Sequence, residues 1–373
     1  MYPILYANLT LNTTWFQQLL TRRIVPVDIM SLSSLRRRVM LARTYQNKLA
    51  LTFAVANVVV VILVLSSRQH LLSLLVVSRT FFSNVTCNYV CFDTPATGNR
   101  LGNYMFFYAV VHYVAWLTGR APCVRNASTT TPLDRVFDLD IARVGCPDRC
   151  PVNTFSDRLV YAYDPRVTAL VNVPSNQTIL LVGYFSSWKY TDPVASRLRR
   201  SLKFRRKLVQ FADNFLSVNV PPGWSTLSFV RVGVHVRRGD FLSRWAINKG
   251  FTVATPLYLQ RALGYFVERF ERIQFIVASN DIPWCRKHII SSTWDRNRVN
   301  ITFSENHSAG QDLALLASCS HIVITSGTYG WWAAWLANGI TVYYADFPRQ
   351  GSSLGNRSRA EEYYPPNWIG ING

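Results

Sequence analysis

Apolar residues are spread unevenly along this chain, and their spacing predicts its elements. Leu49 to Ser67 carries no charged side chain and centres on an unbroken Val58–Leu65 run of Val, Ile and Leu. That is close to the roughly 20 apolar residues needed to cross a hydrocarbon core of about 30 Å. A transmembrane helix is therefore expected over residues 49–67, rather than a cleaved signal peptide, which would start nearer the N-terminus and end at small residues. After a stem at 68–86, the ordered chain is expected to begin with a strand at Asn88–Phe92. A glycine-bearing loop from Thr97 to Asn103 follows, then an almost wholly apolar helix from about Tyr104 to Leu117, ended by Gly119. A strand, a glycine loop and a buried helix open many nucleotide-binding α/β domains.

Residues 120–220 are less regular. Ile179–Val182 reads as a strand running into a polar, aromatic loop at Gly183–Trp188, and Val194–Phe215 reads as a charged surface helix. Pro221-Pro222-Gly223 then breaks the chain and marks the expected boundary between an N-terminal domain at 87–220 and a C-terminal domain at 221–373. Beyond it, strands at Phe229–Val236, Phe275–Ser279, Ile301–Phe303, His321–Thr325 and Ile340–Tyr343 alternate with helices. The helices are expected at Pro256–Ile273, from Trp284, at Gln311–Ser318 and at Tyr329–Ala337. Near-continuous apolar strands alternating with helices imply a parallel sheet covered on both faces. Such sheets bind ligands outside the carboxyl ends of their strands.

Composition and charge add topology. With 373 residues, 49% hydrophobic and 16% charged, disorder over most of the length is excluded. The formal charge of +20 raises nucleic acid as a partner, but the basic residues are scattered. Their tight groups (Arg36 to Arg38, Arg197 with Arg199 and Arg200, Arg205 to Lys207) sit in no nucleic-acid-binding motif. Seven basic residues from Arg22 to Lys48 precede the apolar run, whereas Arg68 and Arg79 follow it. Basic flanks stay cytosolic, so residues 1–48 are expected to form a cytosolic tail and the remainder to lie in a lumen. Sequons at Asn84, Asn126, Asn176, Asn300, Asn306 and Asn356 fit that side, and those at Asn8 and Asn12 should stay unmodified. Seven cysteines suit an oxidising lumen, with pairing open and one thiol left over.

Candidate chemistry gathers where three strands end. His235-Val236-Arg237-Arg238-Gly239-Asp240 places two guanidiniums beside a glycine, and arginine's fixed fork of donors matches phosphate oxygens. Such a clamp would stabilise a departing diphosphate without a metal; pairing with surface carboxylates, Asp240 among them, is the competing view. Ser279-Asn280-Asp281 offers a carboxylate for the paired N–H groups of guanine, or groups for ribose hydroxyls, and could equally be a loop cap. Thr325-Ser326-Gly327-Thr328-Tyr329-Gly330 precedes a helix and can form an anion site or simply cap it. Trp331, Trp332 and Trp335 behind it are read as core, and His321 as structural. Asp138-Leu139-Asp140 resembles a manganese-binding Asp-x-Asp but has no supporting ligands nearby.

Together these motifs resemble the galactoside α-1,2-fucosyltransferases (glycosyltransferase family 11) over about Asn88 to Gly370. Arg100-Leu101-Gly102-Asn103-Tyr104-Met105 is similar to the family's N-terminal motif, with Tyr104 in place of Gln. Val232 to Phe241 resembles its donor-site motif, and Phe275–Arg286 and Asp312–Gly339 its two later ones. The resemblance implies an α/β, GT-B-like fold of two Rossmann-like domains, with a parallel sheet in the C-terminal half, preceded by a single N-terminal transmembrane helix. It implies an inverting, metal-independent transfer of fucose from GDP-fucose to the 2-hydroxyl of terminal β-galactosides, on the lumenal side of the Golgi membrane. It carries Arg237 over as the diphosphate contact and Arg238 as essential to the same site, His235 and Asp240 as donor-site residues, and Arg100 and Asn103 as a loop reaching the donor from the opposing, acceptor-side domain. Asn280, Asp281, Ser326 and Thr328 follow as nucleoside and phosphate contacts. Asp240 is nominated as catalytic base, or else as the group that orients Arg237. The alternatives are a fucosyltransferase of another linkage, α-1,6 or O-fucosyl, and an inactive membrane-tethered glycan-binding protein.

Overall fold

The computed structural model describes residues 87–92, 100–125, 131–139, 141–144, 150–289 and 294–373. The expected tail, span and stem lie outside these residues, as do Asn84, Asn126, Asp140 and Cys146. Among the described residues no helix is long and apolar enough to cross a membrane. Val85–Gly373 forms one compact unit.

Two parallel sheets build that unit. The first holds β1 (Tyr89–Phe92), β2 (Ala121–Arg125), β3 (Ala142–Val144), β4 (Val152–Ser156) and β5 (Thr178–Val182), in the order β3-β2-β1-β5-β4. The second holds β6 (Val230–Val236), β7 (Ile273–Ser279), β8 (Val299–Ser304), β9 (His321–Ile324), β10 (Thr341–Tyr344) and β11 (Ile369–Ile371), in the order β11-β10-β9-β6-β7-β8. The central β6 and β7 are buried along most of their length, as strands covered on both faces must be. This is the expected GT-B-like α/β arrangement. The shorter β2, β3, β4 and β11 are additions to the sequence reading. Val152–Ser156 alternates between exposed and half-buried positions, an edge-strand pattern with too little apolar content to stand out.

Helix α1 (Leu101–Thr118) joins the two halves. It is buried on every side from Tyr104 to Ala115, and a helix apolar all round needs packing all round. Gly119 ends it in the left-handed region at φ 69°, where glycine pays no steric cost. Its partner is α6 (Thr328–Ala337) of the second half: the Phe106 ring lies 4.7 Å from that of Trp331 and 5.1 Å from that of Trp332. The three tryptophans are core, as their setting predicts. Disulfides Cys87–Cys150 and Cys91–Cys123 tie β1 to the approach to β4 and to β2. Cys285 and Cys319 are reduced and buried.

Two helices differ from expectation. The charged stretch Val194–Phe215 is split into Ala195–Ser201 and α2 (Arg206–Val218). Between them Phe204 makes an antiparallel bridge to Phe137, ring against ring at 4.9 Å, which helical backbone would forbid. The helix expected over Pro256–Ile273 is α3 (Pro256–Val267). Phe270 closes on Phe266 and Ile273 already pairs with Val230 and Val299, so sheet pairing overrides the apolar periodicity.

Candidate active site

Three loops close the carboxyl edge of the second sheet by holding one another. The Arg237 N–H donates to Thr325 Oγ1 at 2.8 Å and the Arg238 N–H to Asn280 Oδ1 at 2.9 Å, so the chain leaving β6 is fixed from both neighbouring strands. Gly239 then turns at φ 28°, and a Cβ there would stand 2.1 Å from Asn280 Nδ2. Only glycine lets the loop sit against that asparagine.

The loop delivers Arg237 into a cavity of about 750 Å³ between the two sheets, within the range of nucleotide-sized ligand sites. Its Nη2 lies 2.6 Å from Asp240 Oδ1, and its guanidinium 5.4 Å from the centre of the Phe241 ring. Asp240 Oδ2 lies 3.3 Å from Nη1 of Arg100, which stands at the N-cap of α1 on the opposite wall. Two guanidiniums around one carboxylate leave net positive charge in the cavity. Next to them the N-terminal turns of α1 and α6 touch: a Cβ on Gly102 would be 2.6 Å from Tyr329 N. Thr328 Oγ1 donates to Asn103 Oδ1 at 2.8 Å across the same contact. The N-terminus of α6 lines the cavity and adds its positive dipole end to the guanidiniums.

His235 sits beneath, 5% exposed, its ring 4.9 Å from that of Tyr329. Burial lowers its pKa to about 4, so the ring is neutral at physiological pH. A Cβ on Gly330 would come within 2.7 Å of its Nδ1, a buried atom with no hydrogen-bond partner among the described residues. Ser326 also lines the cavity, with its hydroxyl donated to Thr252 O at 3.0 Å.

Arg100, Asn103, His235, Arg237, Asp240, Asn280, Ser326 and Thr328 thus line one cavity, while Arg238 and Asp281 do not. Arg238 Nε donates to Asp281 Oδ2 at 3.0 Å and its guanidinium lies 3.8 Å from the centre of the Trp284 ring. Successive residues of an extended chain point to opposite sides, so one arginine of the pair faces in and the other away. Asp281 Oδ1 meanwhile accepts from Trp284 N, capping α4 (Ile282–His288).

A fourth strand end, missed in the sequence, completes the site. Beyond β8, His307 and Asp312 line the cavity, and Asp312 and Asp240 are its carboxylates among the described residues. Asp312 Oδ1 accepts from Ser304 Oγ at 2.7 Å, and Ser304 also bonds His307 Nδ1 at 2.8 Å. Burial pushes the Asp312 pKa up to about 6, against the hydrogen bond from Ser304 and the nearby His307. Asp312 is easily passed over because Ser308 and Gln311 form a capping box at the start of α5 (Ala309–Ala317), which makes an acidic first turn look like ordinary capping. From the first half, Tyr184 and Ser186 line the opposite wall, within the aromatic loop after β5.

Elsewhere, Asp138 is exposed and 3.7 Å from Arg205 Nε, outside the cavity lining. His321 Nδ1 accepts from Ile340 N, a structural bond. Asn176, Asn306 and Asn356 are exposed, whereas Asn300 is half-buried on β8 with its amide oxygen bonded to Thr302 Oγ1.

Comparison with known proteins gives the family. The model of Glycosyl transferase family 11 matches residues 59–372. The chain belongs to glycosyl transferase family 11. Within that family it is 32% identical over 274 residues to galactoside 2-alpha-L-fucosyltransferase SEC1 of Bos taurus, covering 73% of this chain and 72% of that one. It is also 32% identical over 280 residues to galactoside alpha-(1,2)-fucosyltransferase 1 of Sus scrofa, covering 73% of each. A solved structure of an Arabidopsis thaliana FUT1 mutant in complex with GDP aligns at a TM-score of 0.49, with 12% identity over 75% of each chain.

Proposed function

We propose that this family 11 enzyme transfers L-fucose from GDP-fucose to the 2-hydroxyl of terminal β-galactosides, with inversion and without a metal. The observation that carries the reading is the Arg237–Asp240–Arg100 cluster, standing in a nucleotide-sized cavity of a chain one-third identical to galactoside α-1,2-fucosyltransferases.

The diphosphate of the donor lies between Arg237, Arg100 and the N-terminus of α6, where every fixed dipole favours the charge that grows as the sugar departs. Asp240 has both oxygens engaged by guanidiniums, which suits the orienting role better than that of base. Transfer then runs through a dissociative, oxocarbenium-like state: the bond from fucose C1 to the diphosphate oxygen breaks, the acceptor hydroxyl oxygen bonds to C1 from the opposite face, and the hydroxyl proton is lost late, to solvent water. Arg238 acts through Asp281 and Trp284, holding the loop that aims Arg237. Guanine is read by Asp312 rather than Asp281: its carboxylate is buried in the cavity and can accept the paired N1–H and N2–H of that base. Asn280, Ser326, Thr328 and Asn103 surround the nucleoside and phosphates, and His235 supports them from below.

The same reading makes residues 87–220 the acceptor side and 221–373 the donor side. The chain is held in the Golgi membrane by residues 49–67, with residues 1–48 cytosolic, 68–86 a stem, and the lumenal sequons glycosylated. Purified full-length protein in detergent, given GDP-fucose and a panel of β-galactosides with and without chelator, should form Fuc-α1,2-Gal in both. Another linkage, or loss of transfer on chelation, would overturn the corresponding part of the proposal.

A further inference from the structure

We infer that Asp157 is a positioning residue for the acceptor: it pins the loop Gly183–Ser186 so that Tyr184 faces the galactoside. The inference rests on the fucosyl-transfer reading above, and it concerns a carboxylate that neither donor binding nor the departure of GDP uses.

Asp157 follows β4 at the carboxyl edge of the first sheet, across the cavity from the donor loops. Its backbone N–H donates to Val182 O at 2.8 Å, which fixes it beside the end of β5. Its carboxylate is then spent on backbone alone: Oδ1 accepts from Leu159 N at 3.0 Å and Oδ2 from Phe185 N at 2.9 Å. Gly183 is pressed against it, since a Cβ there would meet the Asp157 Cβ at 2.4 Å, and Gly183 adopts φ 138°. Phe185 takes φ 50°, a left-handed conformation that a bulky L-residue adopts only when its surroundings demand it. Two anchors supply that demand. One is the bond to Asp157, and the other is the Phe185 ring, 1% exposed and packed against Phe155 and Tyr190.

The far end of the loop is tied to the second half. Ser187 Oγ donates to Glu362 O, and Trp188 Nε1 donates to Glu361 O at 2.9 Å. With both ends and the Phe185 ring fixed, Tyr184 is turned outward: it is 45% exposed and lines the cavity. An aromatic face with a hydroxyl at its tip matches a galactose, which has an apolar face and a rim of hydroxyls. The buried carboxylate thus holds a strained turn whose product is one outward-facing tyrosine on the acceptor side.

The test is steady-state kinetics on the full-length enzyme, varying acceptor and GDP-fucose separately, together with hydrolysis of GDP-fucose in the absence of acceptor. Asp157→Ala should raise the acceptor KM by about tenfold or more, as expected for a lost charge-assisted hydrogen bond. The GDP-fucose KM and the acceptor-free hydrolysis should stay near wild type. Tyr184→Ala, at an exposed position, should reproduce the acceptor defect at an unchanged melting temperature. The double variant should be little worse than either single one, since Asp157 acts through Tyr184. An unchanged acceptor KM in Tyr184→Ala, additive losses in the double variant, or a fall of donor and acceptor parameters together would overturn the proposal. Failure of the wild-type enzyme to transfer fucose would instead overturn the functional reading beneath it.

Discussion

At the scale of single residues, the neighbouring arginines are not equivalent. Arg237 faces the cavity and Arg238 faces Asp281 and Trp284. Removing Arg237 by Arg237→Ala should lower kcat by about a hundredfold to a thousandfold, the usual cost of losing one donor to developing negative charge. Asp240→Asn separates base from orienter: turnover retained within a few-fold, with a raised GDP-fucose KM, is the outcome expected of an orienting carboxylate. Asp312 adds a pH signature. The folded protein keeps this proton up to about pH 6, whereas an unfolded chain releases it near 3.8. Protonation therefore adds stability as pH falls through that window, and the contribution is lost as pH rises through about 6. Donor affinity runs the other way, because only the carboxylate can accept both guanine N–H groups. GDP titrations should show affinity flat above about pH 6 and falling below it, and Asp312→Asn should flatten the profile.

At the scale of elements, the second sheet is the legible half and the first is not. β6, β7 and β9 are rich in Val and Ile and end in polar clusters, so both the strands and the chemistry at their ends can be read directly. β2, β3 and β4 are short, and all three are stapled or edge-paired rather than buried by long apolar runs. The inward direction of Arg237 and the pairing of Arg238 with Asp281 depend on the loop geometry after β6, which alternation constrains only in part. The contact between α1 and α6 was legible only as a glycine, and it is testable. Gly102→Ala would force its new methyl against the backbone at Thr328 and Tyr329, separating the two helix ends that border the cavity. Melting temperature and GDP affinity should both fall, whereas Gly119→Ala, with nothing near its Cβ, should leave GDP affinity unchanged.

At the scale of the whole molecule, one hydrophobic core runs through both sheets, with Phe106 of α1 seated against Trp331 and Trp332 of α6. Deleting that contact by Trp331→Ala should cost about 3–5 kcal/mol. Unfolding followed by tryptophan fluorescence and by circular dichroism should still show one shared transition, displaced to lower denaturant. The amino-acid sequence alone determined the family, the parallel second sheet and eight residues of the cavity lining, because strand periodicity and a motif at a strand end are local properties of the chain. Only the tertiary structure decided that Arg238 is held by Asp281 outside the cavity, that Asp312 rather than Asp281 is the cavity's second carboxylate, and that Asp157 holds the loop after β5. Each of these depends on contacts between residues far apart in the chain, and no local pattern encodes which distant backbone group a side chain will meet.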